Sequence, residues 1–183
     1  CVDSGRGYVN GWSRCMSSVI RGSDNFDSAY IKSVAVIADR KTAGTQGGTA
    51  TSGSWQTRDL NTEVSDVAGI VTIASNQFTL QAGSYIVDWN TVFYNSTNQS
   101  ISRIYNITDS AIVSVSVSAR APSGVGSKPS IGIAYIDITS AKVFELQQRV
   151  QTTVSGTGYG LASNAYFTMP YEQYSLIKIA KVG

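Results

Sequence analysis

The side chains able to do chemistry are few, and the most informative one is missing. The 183 residues contain no histidine. That removes Ser-His-Asp and Cys-His triads, every His-containing zinc site and ordinary imidazole acid–base catalysis. Gly156, Gly158 and Gly160 do not have the spacing of a dinucleotide fingerprint, and Gly47-Gly48 is not followed by the Gly-Lys-Ser/Thr of a phosphate loop. No Gly-x-Ser-x-Gly elbow occurs. Asp59, Asp66, Asp88, Asp109, Asp137, Glu145 and Glu172 are scattered. They read as turn formers or as partners for Arg58, Arg103 and Arg149, rather than as a glycosidase pair. No cluster of oxygen ligands points to calcium, and no cofactor is expected. Cys1 and Cys15 could close a short disulfide loop or stay as free thiols. Three Asn-x-Ser/Thr sequons, at Asn95, Asn98 and Asn106, have meaning only on a eukaryotic secretory route. These residue types favour a binding or structural role over an enzyme.

Composition supports the same reading. Charged residues are 14% of the chain, well below the usual quarter, and Ser and Thr, roughly a fifth, fill the gap. A net charge of +2 with no basic cluster is no footprint for nucleic acid or anionic lipid. The longest apolar runs, such as Val34-Ala35-Val36-Ile37-Ala38, are too short for a membrane helix.

Residues 1–33 are glycine-rich and polar and read as an arm or linker. Residues 34–183 read as one all-β head domain. Runs of Val, Ile, Thr, Tyr and Phe alternate with turn residues. The strands expected are Ser33–Arg40, Ser54–Leu60, Gly69–Ser75, Gln77–Leu80, Gly83–Tyr94, Ser100–Ile107, Ala111–Arg120, Ser130–Ile138, Lys142–Thr152 and Tyr166–Val182, the last broken near Pro170. In Gly83–Tyr94, Tyr85, Val87, Trp89 and Phe93 share one face. In Ala111–Arg120, Val113, Val115 and Val117 oppose Ser114, Ser116 and Ser118. No crossover helix separates the strands, so an antiparallel two-sheet jelly-roll sandwich of about ten strands is expected.

Two strands are apolar on both faces, and such a strand must be covered twice. Ile131, Ile133 and Tyr135 oppose Ala134, Ile136 and Ile138. Tyr174, Leu176 and Ala180 oppose Ile177 and Ile179. The second cover expected is another copy of the chain, which makes Ile131, Ile133, Tyr135, Tyr174 and Leu176 candidate trimer-interface residues. Three long Gly/Ser-rich loops, Lys41–Gly53, Ala121–Ser130 and Ser155–Ala165, are the expected seat of recognition. Tyr94 and Tyr159 would supply stacking surface there, with Lys128 and Gln46 supplying polar contacts.

The stretch from Gly47 to Thr62, ending Trp55-Gln56-Thr57-Arg58-Asp59-Leu60-Asn61-Thr62, resembles a signature of bacteriophage virion structural and tail-fibre proteins. Ser75-Asn76-Gln77-Phe78-Thr79-Leu80, Ala82-Gly83-Ser84-Tyr85, Tyr105-Asn106-Ile107-Thr108-Asp109-Ser110, Ala141 to Gln147 and Gln151-Thr152-Thr153 match in the same order. The resemblance spans about residues 34–183. It implies a jelly roll similar to tumour-necrosis-factor and complement-type heads, forming a homotrimer on the virion surface. Its partners would be other virion proteins, through the N-terminal arm, and a host surface glycan or protein. The alternatives it leaves are a capsid decoration protein or a secreted cellular adhesive head. Where relatives carry a His and a basic cluster, this chain has Gln99-Ser100-Ile101-Ser102-Arg103, so shared ligand chemistry does not carry over. Its first 33 residues match no part of the pattern.

Overall fold

The computed structural model describes residues 31–94, 97–122, 124, 126–163 and 167–183. Cys1, Cys15 and nearly all of the expected arm lie outside the described residues. Twelve strands are present: β1 (Ile31–Thr42), β2 (Gln56–Thr57), β3 (Thr62–Ser65), β4 (Val71–Ala74), β5 (Gln77–Leu80), β6 (Gly83–Phe93), β7 (Asn98–Asn106), β8 (Ala111–Val115), β9 (Ala119–Ala121), β10 (Lys128–Ile138), β11 (Lys142–Val150) and β12 (Tyr171–Val182). They form two antiparallel sheets. One runs β10-β6-β12-β1-β3. The other runs β4-β5-β11-β7-β8, with β2 added to β11 and β9 to β7. This is the jelly-roll sandwich expected from the period-two pattern.

The core fills the space between the sheets. Tyr85, Val87, Trp89 and Phe93 of β6 are all buried, as their alternation requires, against Ile37, Phe78, Ile104, Phe144, Leu146, Ile177 and Ile179. Phe78 and Phe144 stack with centroids 5.4 Å apart. The Trp89 ring lies over Gly132 of the neighbouring strand, so close that a Cβ there would fall 2.1 Å from the ring. Its indole N–H donates to Ser102 Oγ at 2.9 Å. Ser102, Ser116 and Ser130 complete a buried hydroxyl chain, with Ser130 Oγ 2.8 Å from both of the others. Burial is tolerated because each hydroxyl is partnered.

Two expected strands change, one strand appears that was not expected, and the last strand breaks at Pro170 as expected. Ser54–Leu60 is not one strand: only Gln56 and Thr57 pair with β11, and the chain then crosses to the other sheet. The expected strand Ala111–Arg120 splits into β8 and β9, and a register shift between Ile104 and Tyr105 breaks its alternation. As a result Val113 packs on the core while Val115 and Val117 are exposed, and Ser116 is buried. Short β3 carries exposed Glu63, Val64 and Ser65, with no apolar period to announce it. The final strand begins at Tyr171, directly after Pro170. The β4–β5 hairpin turns on Ser75 and Asn76 alone, both at positive φ, the arrangement whose twist suits a two-residue hairpin.

Replacing Gly132 with alanine should force the Trp89 ring from its place. The expected loss is about 1–3 kcal/mol of stability, measured by urea unfolding followed through tryptophan fluorescence.

Candidate receptor-facing and assembly surfaces

The segment Trp55–Thr62 joins the two sheets. Arg58 N–H donates to Leu146 O of β11 at 2.8 Å, and Asn61 N–H donates to Ala38 O of β1 at 3.0 Å. Between these anchors the Arg58 side chain enters the interior and is 1% exposed. Its guanidinium donates to Ser175 Oγ at 3.3 Å and to the carbonyls of Val92, Tyr159 and Tyr174 at 3.4 Å. It stacks on the Tyr159 ring, 4.0 Å from the centroid, and lies 4.0 Å from the buried Asp39 carboxylate. Burial lowers the Arg58 pKa to about 10, against the pull of Tyr159, Asp39 and Asp59. The group therefore stays charged at neutral pH. Burial pushes the Asp39 carboxyl up, opposed by Lys41 at 3.2 Å and by Arg58.

The same segment explains its other residues. Gln56 Oε1 accepts from Thr51 N–H and from the Tyr159 hydroxyl. Asp59 binds Lys41 at 2.5 Å and Asn76 at 3.1 Å. Leu60 N–H donates to Asn76 Oδ1, and Asn61 clasps both the N–H and the C=O of Arg40. This run is an internal fastening and presents no ligand chemistry of its own. A small cleft of about 250 Å³ beside it is lined by Asp39, Gln56, Arg58, Asp59 and Tyr159. Arg58 is already shared among four acceptors there.

Two of the long loops are laced together by backbone bonds. Gly47 N–H donates to Gly160 O, Gly48 N–H to Gly156 O and Tyr159 N–H to Gly48 O. Ala50 and Val154 exchange both bonds. Gln46 is exposed but its Oε1 accepts from Ala162 N–H, so it braces the loop pair. Tyr94 is half-buried, and its N–H donates to Gly158 O at 3.0 Å. Lys128 is exposed and pairs across from Phe93. All four candidate recognition residues thus gather at one end of the sandwich. Tyr159, however, offers no stacking surface: it is 8% exposed, its ring is occupied by Arg58, and burial raises its pKa to about 12.

The assembly candidates separate in a similar way. Ile131, Ile133 and Tyr135 are 48%, 61% and 65% exposed along edge strand β10. Leu176 is half-buried on the outer face of the same sheet. Tyr174 is covered by its own chain, which corrects its place in an interface. Its hydroxyl donates to Thr45 O at 2.6 Å, and its ring lies against Gly160, whose φ of 137° and lack of Cβ make room for it. The sequence reading missed the other half of the exposed edge. Ile112, Val115 and Val117 are all exposed and run beside β10. Val117 N–H donates to Ile131 O, and Ser114 Oγ donates to Ile133 O. The bulge that reverses β8 was the hidden signal.

A third surface was not singled out from sequence. On the outer face of the β11/β7 sheet, the Arg103 guanidinium is held between Trp55 at 4.0 Å and Tyr105 at 4.5 Å. Arg103 Nε donates to Gln147 Oε1, and Gln147, Thr57 and Gln77 all donate to Glu145. Burial pulls the Glu145 carboxyl upward, but these hydrogen bonds and the charge of Arg103 outweigh it and hold the carboxyl below its usual range. No group of His, Cys, Asp and Glu among the described residues could hold a metal ion.

No protein-family profile matches the chain, and no curated protein matches it in sequence. Solved structures do match. Murine APRIL, at pH 5.0, superposes with a TM-score of 0.56 over 82% of this chain and 98% of its own, at 8% identity. The Eiger TNF of S. frugiperda superposes with a TM-score of 0.51 over 82% of this chain and 92% of its own, at 11% identity. The PRD1 vertex protein P5 covers 84% of this chain and 99% of its own, with a TM-score of 0.48 and 18% identity. The likeness to the two TNF ligands is one of fold, and the chain is a jelly-roll domain of that type.

Replacing Arg58 with Met should cost about 3–5 kcal/mol, because the buried Asp39 keeps only Lys41 as a cationic neighbour and Ser175 Oγ and the carbonyls of Val92, Tyr159 and Tyr174 lose their donor. Adding Asp39→Asn should recover part of that loss in a double-mutant cycle of chemical denaturation. Glu145 should shape the acid limb. Its stabilisation is complete above the ordinary carboxyl value of 4.5 and disappears as pH falls through the lowered native value. Glu145→Gln should therefore flatten the loss of Tm on acidification.

Proposed function

We propose that this chain is the head domain of a bacteriophage virion surface protein, working as a homotrimer without catalysis, with host attachment as its task. One observation carries the assembly half of this reading. The β8/β10 side of the sandwich presents Ile112, Val115, Val117, Ile131, Ile133 and Tyr135 as one exposed apolar edge. Patches of that kind on a folded domain mark interfaces. The outer face that carries Ile131, Ile133 and Tyr135 continues across β6, β12 and β1, where Val34 and Leu176 flank the Lys178–Asp88 pair at 2.6 Å. The β8 edge of one copy set against this face of the next makes a head-to-tail contact, which forms a ring where the rotation closes. Covering the exposed part of each isoleucine would contribute on the order of 1–2 kcal/mol.

The virion half rests on the ordered motifs between Gly47 and Thr153. The attachment half rests on the end of the sandwich where the two loops joined by backbone hydrogen bonds, Tyr94 and Lys128 meet. In this reading residues before Ile31 connect the head to the particle.

Ile133→Asp should convert the trimer to a monomer by light scattering while leaving the circular dichroism spectrum unchanged, since Ile133 lies outside the core. A wild-type chain that is already monomeric at high concentration would overturn the assembly. Fluorescently labelled trimer should bind host cells and compete with phage adsorption; absence of both would overturn attachment.

A further inference from the structure

A depression of about 450 Å³ lies where β7, β9 and the end of β11 meet. That size falls within the range of small-ligand sites. Its lining includes Arg120, Arg149, Gln99, Gln151, Ser118 and Ile101, and none of its lining residues is acidic. The strand register explains the grouping. Gln99 pairs with Arg120, Ile101 pairs with Arg149, and Gln151 N–H donates to Gln99 O. Two arginines therefore line one cavity.

Their charges are not matched locally. Lys41, Lys142 and Lys178 each have a carboxylate within 3.2 Å. Arg149 is exposed and has no ion-pair partner among the described residues. Arg120 spends its Nε on Asn98 Oδ1 at 3.0 Å, which leaves its terminal nitrogens without a carboxylate among the described residues. The carboxylate sharing this sheet face, Glu145, already has both oxygens engaged by Gln77, Thr57 and Gln147. Two unneutralised cations beside one cavity favour an anionic occupant, and a guanidinium fork suits the planar oxygens of a carboxylate or the oxygens of a phosphate. The remaining lining is equally specific. The amides of Gln99 and Gln151 can both donate to and accept from hydroxyls, and Ile101 supplies an aliphatic surface for the C–H face of a ring.

We infer that this depression is a binding site for an acidic sugar unit of a surface glycan, with Arg120 and Arg149 taking its anionic group and Gln99 and Gln151 its hydroxyls. The inference deepens the attachment reading and rests on it for its biological meaning. It places the specific contact on the sheet face, among residues other than Tyr94 and Lys128.

The test is calorimetric titration of the purified full chain with three probes: trigalacturonic acid, glucose 6-phosphate and neutral maltotriose. At least one acidic probe should bind about tenfold more tightly than maltotriose, and its affinity should fall as salt rises. The better acidic probe identifies carboxylate or phosphate as the group recognised. Arg120→Gln and Arg149→Gln should each weaken that binding about tenfold, the double variant should abolish it, and Lys128→Gln should leave it unchanged. Equal binding of the neutral probe, no binding of any probe at millimolar concentration, or unchanged affinity in the folded double variant would overturn the site. Binding to host cells separates the two claims. Cells bound equally by wild type and double variant would preserve attachment and remove this site. Cells bound by neither, with saccharide affinity still dependent on the two arginines, would preserve the site and remove attachment.

Discussion

A positive charge held in the dry space between two sheets constrains much of this molecule. Arg58 can stay there only while its surroundings supply acceptors on several sides, since an unpartnered buried charge is severely destabilising. Those acceptors come from distant parts of the chain: Asp39 on β1, Val92 on β6, Tyr159 in a loop, and Tyr174 and Ser175 on β12. The requirement fixes the crossing segment between the sheets. It also fixes the loop that carries Tyr159, whose backbone is bonded in turn to the loop around Gly48. One side chain thus couples sheet spacing to the conformation of the loop that carries Tyr159.

Much of the fold was legible because alternation is a direct consequence of strand geometry. Tyr85, Val87, Trp89 and Phe93 show this, as do the two-faced residues of β10. What escaped had local causes. Strand β3 has no apolar period because its exposed residues include Glu63 and Ser65. A bulge in β8 moves Val115 and Val117 from the face implied by their spacing. Ser54–Leu60 has strand-like composition, but its hydrogen bonds go first to one sheet and then to the other, a fact that no local pattern records. The seat of recognition was read from loop length, which says nothing about what a loop packs against. Tyr159 illustrates this: the loop is long and glycine-rich, yet its aromatic ring is turned inward onto Arg58.

The same contrast applies to the arginines. Arg58, Arg103, Arg120 and Arg149 are indistinguishable as letters. The fold gives them separate environments: one enclosed by carbonyls, one clamped between Trp55 and Tyr105, and two bordering a cavity with no acid in its lining. Charge balance over the whole chain conceals this division, because +2 is a sum and recognition depends on position.

The two open flanks of the sandwich are unlike each other. Along β8 and β10 the flank is greasy, whereas β3 on the far flank is only four residues long and carries Glu63 at its rim. Short, charged border strands discourage further pairing. A subunit built this way has one apolar flank, while the β3 border of the same sheet discourages strand addition, so stacking of that sheet end to end from copy to copy is disfavoured by the architecture of a single copy.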